Sequence, residues 1–233
     1  MTTPQPAFYA LTGSPLGDFI TLLHLPYTIW HLSYVAIGAS LAQEIDASRL
    51  VGTLLAFGLG LGIGAHALDE LHDRPLSTHL SPRTLLLLGW GGLAAGATVA
   101  IVASFVISPV ALVWGAAGVL LAAAYSLEWF SWVHTTVGYG LAWGAFPVLV
   151  GYWAQTQSLS VAVVVVAVAA SGFAMSQRAL STPARDLRRT FNTATVQMGE
   201  FSWDESQLLA TWERPLQFLA LAHVLLAIGL LFT

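Results

Sequence analysis

The stretch LVGTLLAFGLGLGIGAHALDELHDRP (Leu50–Pro75) runs from apolar sequence straight into a knot of ionisable groups. Positions 50–68 are long and apolar enough to cross a bilayer as a helix, which takes about twenty residues. His66, Asp69, Glu70, His72, Asp73 and Arg74 then crowd the mouth of that helix. An ionisable group near hydrocarbon costs roughly a few kcal/mol, so such a cluster is a functional candidate. Pro75 closes the segment, because its ring forbids helix continuation.

The rest of the chain has the same character. Of 233 residues, 56% are hydrophobic and only 9% are charged, against about a quarter charged in soluble domains. Further apolar runs lie at 19–42, 84–106, 109–127, 136–155, 159–177 and 215–232. Period-two alternation, the mark of a membrane β-barrel, is missing. The expected fold is therefore an all-α integral membrane protein, a bundle of about seven transmembrane helices. Its organisation reads as a short lead (1–18), a six-helix membrane core (19–177), an arginine-rich loop or interfacial helix (178–214) and a final transmembrane helix (215–233). The lead lacks the basic region of a signal peptide.

Composition removes several chemistries. Without cysteine there are no disulfides and no thiol catalysis. Without lysine there is no Schiff-base mechanism, and every fixed cation is an arginine, the better fork for phosphate oxygens. The lysine-bearing phosphate loop and the serine nucleophile elbow are absent too. The expected partners are the lipid bilayer and an anionic lipid, with no nucleic acid.

Arginine placement sets the expected orientation. With the loop after the 50–68 span in the cytoplasm, Arg74, Arg83, Arg178, Arg185, Arg188, Arg189 and Arg214 are inside and Arg49 alone is outside. The N-terminus is then cytoplasmic and the C-terminus external. Three polar segments, His66 to Arg83, Glu128 to His134 and Gln177 to Arg189, converge on the cytoplasmic face beside His24. An anionic lipid headgroup fits this face, as does a loop that only contacts bilayer headgroups.

Spacings of three and four residues put His66, Glu70 and Asp73 near one helical face with Asp69 alongside. Asp69 and Asp73 form a carboxylate platform for a divalent cation, with Glu70 as a further ligand. Magnesium suits it, being held by one or two carboxylates plus substrate phosphates. Histidines nearby open a transition-metal alternative. Gly58, Gly60, Gly62 and Gly64 have the spacing that lets helices pack closely.

These residues resemble the UbiA-type superfamily of intramembrane prenyltransferases. Asp69, Asp73, Arg74 and Pro75 match the end of its NDxxDxxxD motif and the arginine and proline that often follow. LPYTIWHLSYVAIGASLA (25–42) is similar to its opening helix, AAAYS (122–126) to the end of its fourth, and GYGLAWGAFPVLVGYWAQT (138–156) to its glycine-rich fifth. The resemblance implies a helical fold that holds a prenyl diphosphate through magnesium and transfers the prenyl group to an acceptor. Asp69, Asp73 and His66 are then the expected catalytic residues. Arg74, Arg178, Arg185, Asp186, Arg188, Arg189, Tyr125 and His134 are expected to bind substrate.

The chain also departs from that pattern. Ala65 and His66 replace the leading Asn-Asp, seven spans are expected where the family generally has nine, and QRALSTPARDLRR (177–189) has Asp186 alone among four arginines where a second Asp-rich motif belongs. Exchanging carboxylates for arginines turns a magnesium-bridged clamp into direct guanidinium pairing with phosphate. Three alternatives stay open: a metal-dependent enzyme built on His24, His31, His66 and His72; a CDP-alcohol phosphotransferase, whose signature also ends in DxxxD; and a non-catalytic subunit on a degenerate scaffold.

Overall fold

The apolar runs lie on helices, several of which bring one end to a common polar region. The computed structural model describes residues 7–11, 14–190, 196–198 and 201–233. Helix α1 spans Pro15–Leu22 and α2 Leu25–Ser40. Helix α3 spans Ala47–Asp73, α4 Pro82–Val106 and α5 Ala111–Ser126. Helix α6 covers 136–156 and α7 Val161–Thr190. A two-stranded antiparallel ribbon, Val196–Met198 with Phe201–Trp203, precedes α8 at Glu205–Leu230.

Local chemistry sets these boundaries. Ser14, Asp46, Ser81, Thr135 and Asp204 each cap a helix N-terminus through a side-chain oxygen. At Asp204 the side chain of Gln207 returns the bond to complete a capping box. The 19–42 run is not one helix. His24 takes left-handed backbone angles (φ 46°, ψ 44°), and α2 restarts with Pro26, whose missing N–H is harmless in a first turn.

Of the expected loop or interfacial helix, residues 178–189 take helical form, continuing α7 with Pro183 inside the helix. Ala184 and Leu187 pack against Leu208 and Leu209 of α8, so both helices rise together beyond the apolar core.

Ala47–Asp73, Pro82–Val106, Val161–Arg189 and Glu205–Leu230 are long and apolar enough to cross a membrane. Only between 22% and 33% of their most apolar windows is buried within the protein. The outward faces carry residues such as Phe105, Val161 and Phe232, each more than four-fifths exposed. A surface this apolar is solvated by hydrocarbon, making the chain a multi-pass membrane protein.

Glycine lets α2 and α6 touch backbone to backbone. A Cβ on Gly38 would lie 2.1 Å from the Val148 carbonyl oxygen, and one on Gly151 would lie 2.2 Å from that of Val35. In α3 the four alternating glycines divide. Gly62 and Gly64 pack against Thr28 and Leu93, whereas a Cβ on Gly58 or Gly60 would meet nothing within 4 Å.

Two stretches widen from α to π geometry: Gly58–Ala65 within α3 and Leu141–Ala145 within α6. A π turn shifts the backbone bonding register, and side chains elsewhere in the bundle bond carbonyls of these stretches. Ser126 Oγ donates to Ala65 O at 2.9 Å, and His31 Nδ1 donates to Trp143 O at 3.1 Å.

Candidate functional site

The start of α2, the end of α3, the end of α5, the start of α6 and the upper part of α7 surround a cavity of about 730 Å³. That is a volume of small-molecule size. Asp69, Asp73, Arg74, Arg178, Arg185, Arg188 and Arg189 all line it, joined by His66 and Tyr125. Two of the three polar segments, with His24, therefore share one space, while Glu128–His134 lies outside its lining.

Roles within it diverge from the expected ones, most clearly at Glu70. Glu70 is fully buried and points away from the cavity. Its carboxylate accepts from Leu76 N at 2.9 Å, Thr78 N at 2.8 Å and Thr78 Oγ1 at 2.9 Å. It lies about 100° round the helix from Asp69, on the flank that meets the following loop. Glu70, expected as a further metal ligand, therefore shapes that loop and does not line the cavity.

Arg74 ends α3 in a left-handed conformation (φ 50°), and its Nη1 donates to the carbonyls of Thr78 and Leu80 at 3.1 and 2.9 Å. One arm of its guanidinium is thus committed to the same loop. Arg178 is similarly occupied, donating to Tyr125 Oη at 2.9 Å and to His134 O at 2.7 Å, with its guanidinium 5.4 Å from the Tyr139 ring centre. His134 stacks on Tyr125 at 4.4 Å but does not line the cavity; it supports the tyrosine from behind. Asp186, expected among the substrate-binding residues, is exposed and lies outside the cavity lining.

Arg188 pairs with Glu213 of α8, and Arg189 lies 3.1 Å from Asp73. Asp69 and Arg185 line the cavity without a hydrogen-bond partner among the described residues. They are the ionic groups with most freedom to meet a ligand.

The opposite wall is uncharged. Tyr9 Oη hydrogen-bonds His24 Nδ1 at 2.9 Å, and the His24 ring stacks on His66 at 4.4 Å. Burial holds the Tyr9 phenol well above its ordinary range, so it stays protonated. Segment 7–11, expected to be part of a simple lead, thus builds the site; Leu11 N donates to Thr21 Oγ1 at 2.8 Å to hold it there. Tyr9 and Tyr27 line the cavity as well, and neither is legible in the sequence, because a tyrosine before a helix or in its first turn carries no spacing signal.

A resident metal does not fit these donors. Among the described residues no group of three or more histidines or carboxylates is placed to hold one. Glu70 is spent on backbone, Asp73 faces Arg189, and His72 is exposed outside the cavity lining.

Below the polar cavity lies a second, apolar space of about 410 Å³ between α3, α4, α5 and α6. Leu61 and Trp143 line both. The groove continues past Gly60, Phe57 and Trp114 to Gly52 and Arg49 near the far end of α3. Cavity and groove form a polar compartment backed by an apolar one, with two side chains at their junction. Comparison with models of known families, with curated proteins and with solved structures gives no match.

Proposed function

We propose that this chain is a seven-span membrane protein that binds an isoprenoid phosphate or diphosphate, or a closely related anionic lipid. The observation that carries it is the shared wall at Leu61 and Trp143, which joins an arginine-lined cavity to an apolar groove. An amphiphile with a compact anionic head and a hydrocarbon tail matches both halves. Guanidinium groups pair with phosphate oxygens in two-pronged fashion and need no metal between them. On the positive-inside argument the cavity faces the cytoplasm.

Transfer of the prenyl group to an acceptor is a second reading, in keeping with the UbiA-like segments. It is favoured by the aromatic rings of Tyr125, Tyr139 and Trp143 where cavity meets groove. The first carbons of a tail would lie there, and π faces stabilise a carbocation as its diphosphate departs. Asp69 supplies a carboxylate in the same space.

The test uses purified protein in nanodiscs with labelled farnesyl diphosphate. Saturable binding that competes with inorganic diphosphate and weakens in Arg185→Ala supports the lipid-binding assignment. Absence of saturable binding overturns it. Release of diphosphate in the presence of acceptors, lost in Asp69→Asn, adds transfer; binding without release across acceptors leaves a binding protein.

A further inference from the structure

We infer that Gly60 and Gly52 set which hydrocarbon tails the groove accepts. This rests on the amphiphile assignment above and goes beyond it by naming the residues that select among ligands. Both glycines line the groove, and both lack any neighbour within 4 Å of where a Cβ would stand. They differ in this from Gly96, which lines the same groove but whose Cβ would lie 2.9 Å from the Ala56 carbonyl oxygen. Gly96 is glycine because two helices touch there. Gly60 and Gly52 face open space, so packing does not explain the absence of a side chain, whereas an unobstructed groove does.

Their positions grade the effect. Gly60 adjoins Leu61, where the groove meets the polar cavity, and Gly52 lies eight residues back along α3, about 12 Å away at helical rise. A side chain at Gly60 obstructs the groove at its entrance, under the headgroup. A side chain at Gly52 obstructs it only at depth. Short tails end before Gly52 and do not meet it; long tails must pass it. The groove thus acts as a depth gauge whose two marks are bare backbone.

The tail is the occupant because the groove and the charged cavity meet at the same two side chains, Leu61 and Trp143. A headgroup seated among Arg178, Arg185 and Arg189 places the attached carbons at Leu61 and Trp143, with the groove directly ahead. The alternative occupant is a bilayer acyl chain with no link to the cavity.

The experiment measures dissociation constants in nanodiscs for inorganic diphosphate and for geranyl, farnesyl and geranylgeranyl diphosphates. Proteins compared are wild type, Gly60→Leu, Gly52→Leu and Gly172→Leu; Gly172 is equally open but lies on α7 away from the groove. Gly60→Leu should weaken every tailed ligand by about tenfold or more while inorganic diphosphate is unchanged, as overpacking costs imply. Gly52→Leu should leave geranyl diphosphate unchanged and weaken geranylgeranyl diphosphate by a similar factor. Gly172→Leu should match wild type throughout. Equal affinities for all tailed ligands in wild type and both groove variants, with inorganic diphosphate still bound, would sink the depth gauge and leave headgroup binding standing. Loss of inorganic diphosphate and tailed ligands alike from wild type removes both.

Discussion

Leu61 and Trp143 each sit in a π-helical stretch, one in α3 and one in α6, and they line the arginine cavity and the apolar groove alike. Both belong to one buried cluster with Leu93 and Ala122. Because π turns shift side-chain phase and free carbonyls for other partners, the two widened stretches place the junction residues and recruit His31 and Ser126 as donors.

Trp143 offers a direct check of that junction. Its indole N–H is buried without a partner among the described residues. Trp143→Phe removes this donor along with part of the ring, so the lost packing is offset by relief of an unsatisfied group. The expected change in unfolding free energy is within about 1 kcal/mol, well short of the ~3 kcal/mol or more of a large truncation. Thermal unfolding in one detergent measures it. A loss of that larger size would show that the N–H has a partner, such as bound lipid.

Glu70 and Asp73 should separate stability from binding. Glu70→Ala orphans the buried N–H of Thr78, at a cost of about 1–3 kcal/mol, and the part-buried N–H of Leu76, and should lower the melting temperature sharply. Asp73→Ala breaks an exposed contact with Arg189, for which ~1 kcal/mol is an upper figure. Melting curves of the two variants should therefore differ clearly. If they melt alike, the loop-shaping role of Glu70 is wrong.

Much of this was legible in sequence for simple physical reasons. Apolar runs report the bilayer, and charged residues in an apolar chain report where a polar space is built, so Asp69, Asp73, His66 and the α7 arginines were all found. Assigning Glu70 to the same side as Asp69 failed because spacing alone does not say which flank the next loop covers. That the arginine-rich segment continues α7 was not legible because hydropathy falls where the helix leaves the apolar core, although Ala184 and Leu187, three residues apart, both pack on α8. The π stretches were invisible: GLGLGIGA and LAWGA carry no phase signal, and their widening depends on partners in other helices.

The uncharged wall predicts a graded loss. Tyr9→Phe deletes the hydroxyl that bonds His24 Nδ1, and His24 Nε2 already lacks a partner among the described residues. A buried imidazole with neither nitrogen satisfied should cost about 1–3 kcal/mol. Segment 7–11 would loosen from the cavity, so limited proteolysis should cut the variant faster within its first residues. Unchanged cleavage would argue that Leu11 and Thr21 alone hold the segment.

Arg185 and Arg178 line one cavity but are held differently, and their variants should fail differently. Arg178 ties the Tyr125 ring to the carbonyl of His134, so Arg178→Lys keeps the charge yet loses the two-pronged bond and should lower both melting temperature and phosphate affinity. Arg185 is exposed and has no such tie among the described residues, so Arg185→Ala should leave melting within about 0.5 kcal/mol of wild type. Its phosphate affinity should fall on the order of tenfold, as expected for a lost charge-assisted bond. The salt dependence of binding should also flatten, because a cation partly open to solvent acts through a screened field. Equal affinity for inorganic diphosphate in wild type and Arg185→Ala would mean that Arg185 does not meet the headgroup, and the anion would then have to be held deeper, against Arg178.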